Sequence, residues 1–165
     1  MVVRAAAVVV ALAGCAGSGG ELRGWTWRDR ATTFRVGELP SSWRRVKNGA
    51  AVQFFHPQTG AVILADDDCR KSADAPLPVL TNTLLIGFTE REIVSQEQTS
   101  LAGREALRSS VRARLDGVPV AIDAVAVKKD GCSYDLVYIA PRARAADDRP
   151  AFDHFVAGFD TVGID

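Results

Sequence analysis

The chain has 165 residues, of which 47% are hydrophobic and 24% are charged, a composition typical of a globular protein. Lysine plus arginine and aspartate plus glutamate both number 20, so the formal net charge at pH 7 is zero. Nucleic-acid binding draws on an excess of basic side chains, and the balanced charge therefore argues against a nucleic-acid partner.

The first residues have the layout of a secretory signal. Arg4 precedes an apolar run over residues 5–13, which is far shorter than the roughly 20 residues of a membrane-spanning helix. The run ends in Leu12-Ala13-Gly14-Cys15, which resembles the lipobox of bacterial lipoproteins. This resemblance implies that residues 1–14 are a signal peptide and that Cys15, the first mature residue, carries diacylglycerol and fatty acids such as palmitate. The alternative is an ordinary signal peptide with an incidental cysteine.

A lipid on Cys15 implies an extracytoplasmic protein held to the cell envelope. Bacterial lipoproteins carry two or three acyl chains, and each buried methylene contributes about 0.8 kcal/mol, so the attachment is effectively permanent. Because Ala16 follows the cysteine, the resemblance implies the outer membrane, facing the periplasm, in a Gram-negative host. Glycine and serine after it predict a lipid attachment segment and flexible tether over residues 15–32. Trp25 and Trp27 within it lie two residues apart and share a face. Together with Arg23, Arg28 and Arg30 they either rest on an anionic membrane surface or pack on the domain as an edge strand or chain end.

A single globular domain is expected over residues 33–165, with no internal repeat. Its first half predicts a strand near residues 34–36, a single helical turn or a loop at 41–46, a hairpin of residues 50–55 and 61–65, a helix over 77–86 and a strand over 93–99. The helix is indicated by leucines on one stripe, with Gly87 as its stop.

The clearest pattern is a three-stranded meander. Apolar and polar residues alternate from Leu107 to Asp116, a period of two that is typical of a strand. Asp-Gly pairs at 116–117 and 130–131 predict two-residue turns, which place Val111 opposite Ile122 and Ile122 opposite Ile139. Both faces of the inner strands are partly apolar, so the sheet needs cover on each side. A final helix over residues 150–158 is expected to supply part of it.

Three short motifs accompany this order of elements: Leu39-Pro40-Ser41-Ser42-Trp43, Leu101-Ala102-Gly103-Arg104-Glu105-Ala106, and residues 150–159 with their closing Phe159. Together they resemble the Mog1/PsbP-like fold over about residues 33–160. The resemblance implies an α+β protein, an antiparallel β-sheet flanked by helices in an α/β/α sandwich. Members are typically non-enzymatic accessory or binding proteins, some of them bacterial lipoproteins, and no family catalytic residues exist to carry over.

Cys69 and Cys132 remain once Cys15 is assigned to the lipid. An even pair of cysteines in an oxidising compartment predicts a disulfide, although two buried free thiols are the alternative. The bond would close a long loop and so lower the conformational entropy of the unfolded chain. We expect it to stabilise the folded protein by about 4 kcal/mol.

The sequence contains no nucleophile elbow, phosphate-binding loop, dinucleotide fingerprint or paired Cys/His metal spacing, so neither an enzyme nor a cofactor is predicted. Asp66 and Asp68 are weak candidates for a divalent-ion site, the alternative being a solvated strand end. Arg108, Arg112 and Arg114 form a basic strip that is either salt-bridged or a patch for an anionic ligand or acidic partner.

These observations predict a lipid-anchored, non-enzymatic binding or accessory module of the bacterial cell envelope. Its expected partners are membrane lipid, through Cys15, and an envelope protein. Two alternatives stay open: a carrier of a small ligand or ion between the sheet and a helix, and an enzyme with a site of scattered acids.

Overall fold

A computed structural model describes residues 19–47, 49–70 and 74–163. The expected signal peptide, the lipobox-like motif that ends at Cys15 and the first part of the expected tether therefore lie outside the described residues. Within the described ranges, no helix has the length and apolar character needed to cross a bilayer.

An antiparallel sheet of seven strands forms the centre of the molecule. Its strands are β4 (Arg44–Arg45), β5 (Val52–His56), β6 (Ala61–Asp68), β7 (Thr89–Leu101), β8 (Arg104–Leu115), β9 (Val118–Lys129) and β10 (Cys132–Pro141). They lie in the order β4-β5-β6-β10-β9-β8-β7. The predicted meander is confirmed, with Val111 opposite Ile122 and Ile122 opposite Ile139. Asp116 and Asp130 adopt positive φ ahead of their glycines, as two-residue turns require.

One helix packs on part of each face of this sheet. Helix α1 (Leu77–Leu84) packs on what we call the α1 face, over a core that includes Val111, Ile122 and Val137. Helix α2 (Arg149–Ala157) packs on the opposite α2 face and buries Phe152, Phe155 and Val156. The strand residues on this face are apolar or aromatic: Val125, Val127, Tyr134, Leu136 and Tyr138. The α+β class and the layering of helix, sheet and helix follow from these two cores.

A second, smaller sheet was not predicted, although the strand expected near residues 34–36 belongs to it. Its strands are β1 (Glu21–Arg23), β2 (Thr26–Arg28), β3 (Thr33–Arg35) and β11 (Asp160–Thr161), in the order β1-β2-β3-β11. Residues 21–28 thus form a hairpin, where the sequence predicted part of a flexible tether. Trp27 is buried, and the ring of Trp25 stacks on Phe54 with 5.2 Å between the centroids. The described part of this segment therefore belongs to the edge of the folded domain. The structure favours the alternative in which the two tryptophans pack on the domain over the one in which they rest on the membrane.

The small sheet docks through a close backbone contact. A Cβ on Gly158 would lie 2.4 Å from the Cα of Gly37, and the Gly37 N–H donates to the carbonyl of Phe155 at 2.9 Å. Only glycines allow the end of α2 to approach the chain after β3 this closely. Strand β11 then returns to pair with β3, which ties the end of the domain to its beginning.

Cys69 and Cys132 form the predicted disulfide, 63 residues apart in sequence. It joins the end of β6 to the start of β10, two strands that are neighbours in the sheet. The bond fixes the pairing of the central strands at one end of the sheet.

Candidate functional site

Strand β7 is the most exposed of the helices and strands that the structure describes. It has 13 residues, pairs only with β8 among the described strands, and is exposed at every residue except Leu101. Strands are usually about 5–6 residues long, and edge strands are usually short or covered. Two irregularities in the pairing lie between Thr89 and Ser95, so that residues 95–101 form the regular part of the edge. The outer side of β7 is therefore suited to receive a further strand.

Four apolar side chains extend this exposed region onto the α1 face. They are Ile86, Ile93, Leu115 and Val118, each between 39% and 75% exposed. The register places the three strand residues on one face, since Ile93 lies opposite Val111 of the core and Leu115 lies opposite Val118. Ile86 lies two residues after the end of α1. We call these four side chains and the free edge of β7 the β7 surface.

The β7 surface is exposed because α1 is too short to cover it. The eight residues of α1 span about 12 Å, whereas the 12 residues of β8 span about 40 Å. The chain leaves the helix at Leu85, whose carbonyl accepts a hydrogen bond from Arg91 Nη1 at 3.3 Å. Exposed apolar side chains gathered on one face are typical of a protein-binding surface.

The basic strip on β8 is matched by acidic residues. Its ion pairs are Arg108 to Asp153 at 2.5 Å, Arg112 to Glu92 at 3.8 Å and Arg114 to Glu90 at 2.8 Å. These partners come from α2 and from β7. The geometry favours the salt-bridged interpretation of the strip, and a docking patch for an anionic ligand stays a prediction.

Asp123 holds the start of α2 to the sheet. It is buried on β9, accepts a short hydrogen bond from the Ser110 hydroxyl and lies 3.1 Å from Nε of Arg149. Arg149 is the first residue of α2, so this pair fixes where the helix begins on the sheet.

The two candidate metal ligands have other partners. Asp66 Oδ1 accepts the Ala51 N–H at 3.1 Å, and the Asp68 carboxylate pairs with Arg70 at 2.6 Å. The hydrogen bond from Arg70 lowers the pKa of Asp68. Across the ranges that the structure describes, no three His, Cys, Asp or Glu side chains come together as a metal site would require.

Two neighbouring aspartates have strongly perturbed acidity. Burial raises the pKa of Asp135 to about 7, and the charges of Asp66 and Asp68 add to the effect. Asp135 lies opposite Asp66 in the sheet. Burial also raises the pKa of Asp67 to about 6, with the charge of Asp29 as the next cause. Neither residue was predicted from the sequence as a perturbed acid. The pairing of β6 with β10, which places Asp135 opposite Asp66, is the information that would have identified Asp135.

A groove of about 520 Å³ lies between the start of α1 and the sheet, where the sequence placed a small-ligand site as an alternative. Its lining is mixed: Pro76, Leu77, Pro78, Gln98, Arg104, Glu105, Leu107 and Lys128. Small-molecule sites are usually lined mainly by apolar and aromatic side chains. The groove therefore gives this alternative little support.

No protein-family model matches the chain, and no curated protein matches it in sequence. Solved structures do resemble it. Cyanobacterial PsbP (CyanoP) from Synechocystis sp. PCC 6803 has a TM-score of 0.56 at 12% identity, with 93% of this chain and 99% of that chain covered. The Ran-binding protein Mog1p of Saccharomyces cerevisiae has a TM-score of 0.53 at 13% identity, covering 80% and 90%. LpqN of Mycobacterium tuberculosis, involved in cell envelope biogenesis, has a TM-score of 0.52 at 16% identity, covering 80% and 86%. The predicted Mog1/PsbP-like α+β fold is confirmed.

Proposed function

We propose that the protein is a lipid-anchored, extracytoplasmic accessory module of the bacterial cell envelope, which binds a protein partner through the β7 surface. The lipobox ending at Cys15 supports the anchor. The disulfide between Cys69 and Cys132 supports an oxidising compartment, because cytosolic thiols are kept reduced. The shared fold with LpqN, a protein of cell envelope biogenesis, supports a role in the envelope.

The observation that carries the proposal is the exposure of β7 on both faces and along its outer edge. A partner strand on this edge gains backbone hydrogen bonds, each contributing about 1 kcal/mol net. Covering Ile86, Ile93, Leu115 and Val118 adds about 25 cal/mol for each Å² of apolar surface removed from water. The isolated domain makes neither set of contacts.

His56, at the end of β5, makes its polar contacts within the turn that leads to β6. His56 Nδ1 lies 3.0 Å from the Thr59 hydroxyl, and that hydroxyl accepts the Ala61 N–H at 3.3 Å. These bonds close the turn between β5 and β6 and leave the histidine in a structural role.

The test is photo-crosslinking in intact host cells. A photoreactive amino acid replaces Ile93 on β7 or, as the control, Phe55 on β5, which is also an exposed apolar residue but lies at the other end of the same sheet. We expect a discrete adduct from position 93 that position 55 does not give. The same set of adducts from both positions, or none from position 93, would contradict the proposed binding surface.

A further inference from the structure

The outer face of the small sheet carries a group of arginines. Leu22, Trp27 and Phe34 turn inward to the core, and alternation along the strands turns their neighbours outward. The outward-facing arginines, together with one in the loop that follows β2, are Arg23, Arg28, Arg30 and Arg35, all of them exposed. We call this group the arginine face.

Two of these guanidinium groups are available to a ligand. Arg23 pairs with Glu21, and Arg35 lies 3.8 Å from Asp160. Within the described part of the chain, Arg28 and Arg30 form no ion pair, and the only side-chain hydrogen bond of either is from Arg28 Nε to the Thr33 hydroxyl at 3.3 Å.

Three of the four arginines of the arginine face, all but Arg35, line a surface depression of about 600 Å³. It is lined by Gly19, Glu21, Arg23, Thr26, Arg28, Asp29, Arg30, Thr33 and Val162, which gives three cationic and two anionic side chains. Both carboxylates of the lining have partners, since Asp29 Oδ1 accepts the N–H groups of Ala31 and Thr32 and Glu21 pairs with Arg23. The depression therefore presents guanidinium donors to an incoming anion.

The position of the anchor brings this face to a membrane. Gly19, which lines the depression, is four residues after Cys15, and four residues span at most about 14 Å. A lipid on Cys15 would thus hold the arginine face within reach of the headgroup layer. This step rests on the proposed lipid anchor.

We propose that the arginine face docks on the phosphate groups of anionic lipids and so fixes one orientation of the domain on the membrane. The planar guanidinium binds phosphate oxygens through two parallel hydrogen bonds. Each arginine close to an anionic surface contributes about 1 kcal/mol, which is too little to recruit a free protein. Tethering at Cys15 makes the contact intramolecular, at an effective concentration in the millimolar range, so a weak contact is enough to orient the domain.

The experiment supplies the anchor chemically, so its outcome does not depend on lipidation in cells. The mature chain from Cys15, with Cys69 and Cys132 in their disulfide, is coupled through the Cys15 thiol to a maleimide lipid. The vesicles contain either phosphatidylglycerol with phosphatidylcholine or phosphatidylcholine alone, with dansyl-labelled lipid in both. Energy transfer from the tryptophans to dansyl reports how closely the domain lies on the bilayer.

We expect more energy transfer on the anionic vesicles, and loss of this excess in the double variant R28Q/R30Q. The matched control R44Q/R104Q removes two other exposed arginines and is expected to keep the excess. Equal transfer on both vesicle types, or equal loss in the two double variants, would overturn the proposal. Thermal unfolding of both variants checks that the fold is intact. If this test fails while a lipid is found on Cys15 in cells, the proposed lipid anchor is supported and only the proposed docking of the arginine face is refuted.

Discussion

Replacing Asp135 by asparagine is expected to stabilise the protein above neutral pH. Its side chain lies on β10 opposite Asp66, and its Oδ1 is buried with no hydrogen-bond partner among the described residues. Burial raises its pKa from 3.8 to about 7. Between these two pH values the folded state binds more protons than the unfolded state, so the free energy of unfolding falls as the pH rises.

The upper limit of this effect follows from the difference between the two pKa values. The difference between 3.8 and about 7 is roughly three pH units, and at about 1.36 kcal/mol for each it corresponds to about 4 kcal/mol. The destabilisation is absent near pH 4, where Asp135 is neutral in the folded state, and complete above pH 7. Asparagine is neutral throughout, so Asp135→Asn should match the natural protein near pH 4 and exceed its stability at pH 8 by 1 kcal/mol or more, within the limit of about 4 kcal/mol.

Urea unfolding at pH 4 to 8 measures this difference, with the disulfide kept oxidised. Taking the difference between variant and natural protein removes the other groups that titrate in this range. Asp116→Asn is the control, because it removes the same charge from an exposed turn. Equal stability of Asp135→Asn and the natural protein at pH 8, or a difference that does not vary with pH, would refute the reasoning.

Two further substitutions test the packing. Replacing both Cys69 and Cys132 by serine should lower the free energy of unfolding by about 2–5 kcal/mol, and unchanged urea midpoints would contradict the assigned role of the bond. Gly158→Ala places a methyl group 2.4 Å from the Gly37 Cα and should cost about 1–3 kcal/mol, whereas Gly163→Ala, which meets nothing within 4 Å, should change stability by less than about 0.5 kcal/mol. Equal thermal midpoints for these two alanine variants would argue against the close contact.

The meander and the two helices were predictable because their signals are local. Alternation over residues 107–116 and the Asp-Gly turns define β8 to β10 without knowledge of the rest of the chain. The small sheet was not predictable in this way. Its strands have only two or three residues, too few to show a strand pattern in the sequence. The pairing that defines them can involve residues far apart in the sequence, as when Asp160 pairs with Arg35.

The candidate site was predicted less well than the fold. Strand β7 begins at Thr89, four residues before its predicted start, because a strand exposed on both faces shows no alternation that would mark its ends. Its Glu90 and Glu92 compensate the arginine strip on β8, a pairing that only the register of the two strands reveals. The depression beside the arginine face likewise depends on the unpredicted small sheet.

The lipid at Cys15 is the claim on which the proposed location and the orientation at the membrane both depend. Its most direct test is the intact mass of the protein isolated from the membranes of its host, measured for the natural chain and for Cys15→Ser. We predict that the natural chain begins at Cys15 and is heavier by a diacylglyceryl group and its fatty acids, and that the variant lacks this mass and leaves the membrane fraction. The account would be contradicted if the natural chain had the mass of the unmodified polypeptide and the Cys15→Ser variant stayed in the membrane fraction.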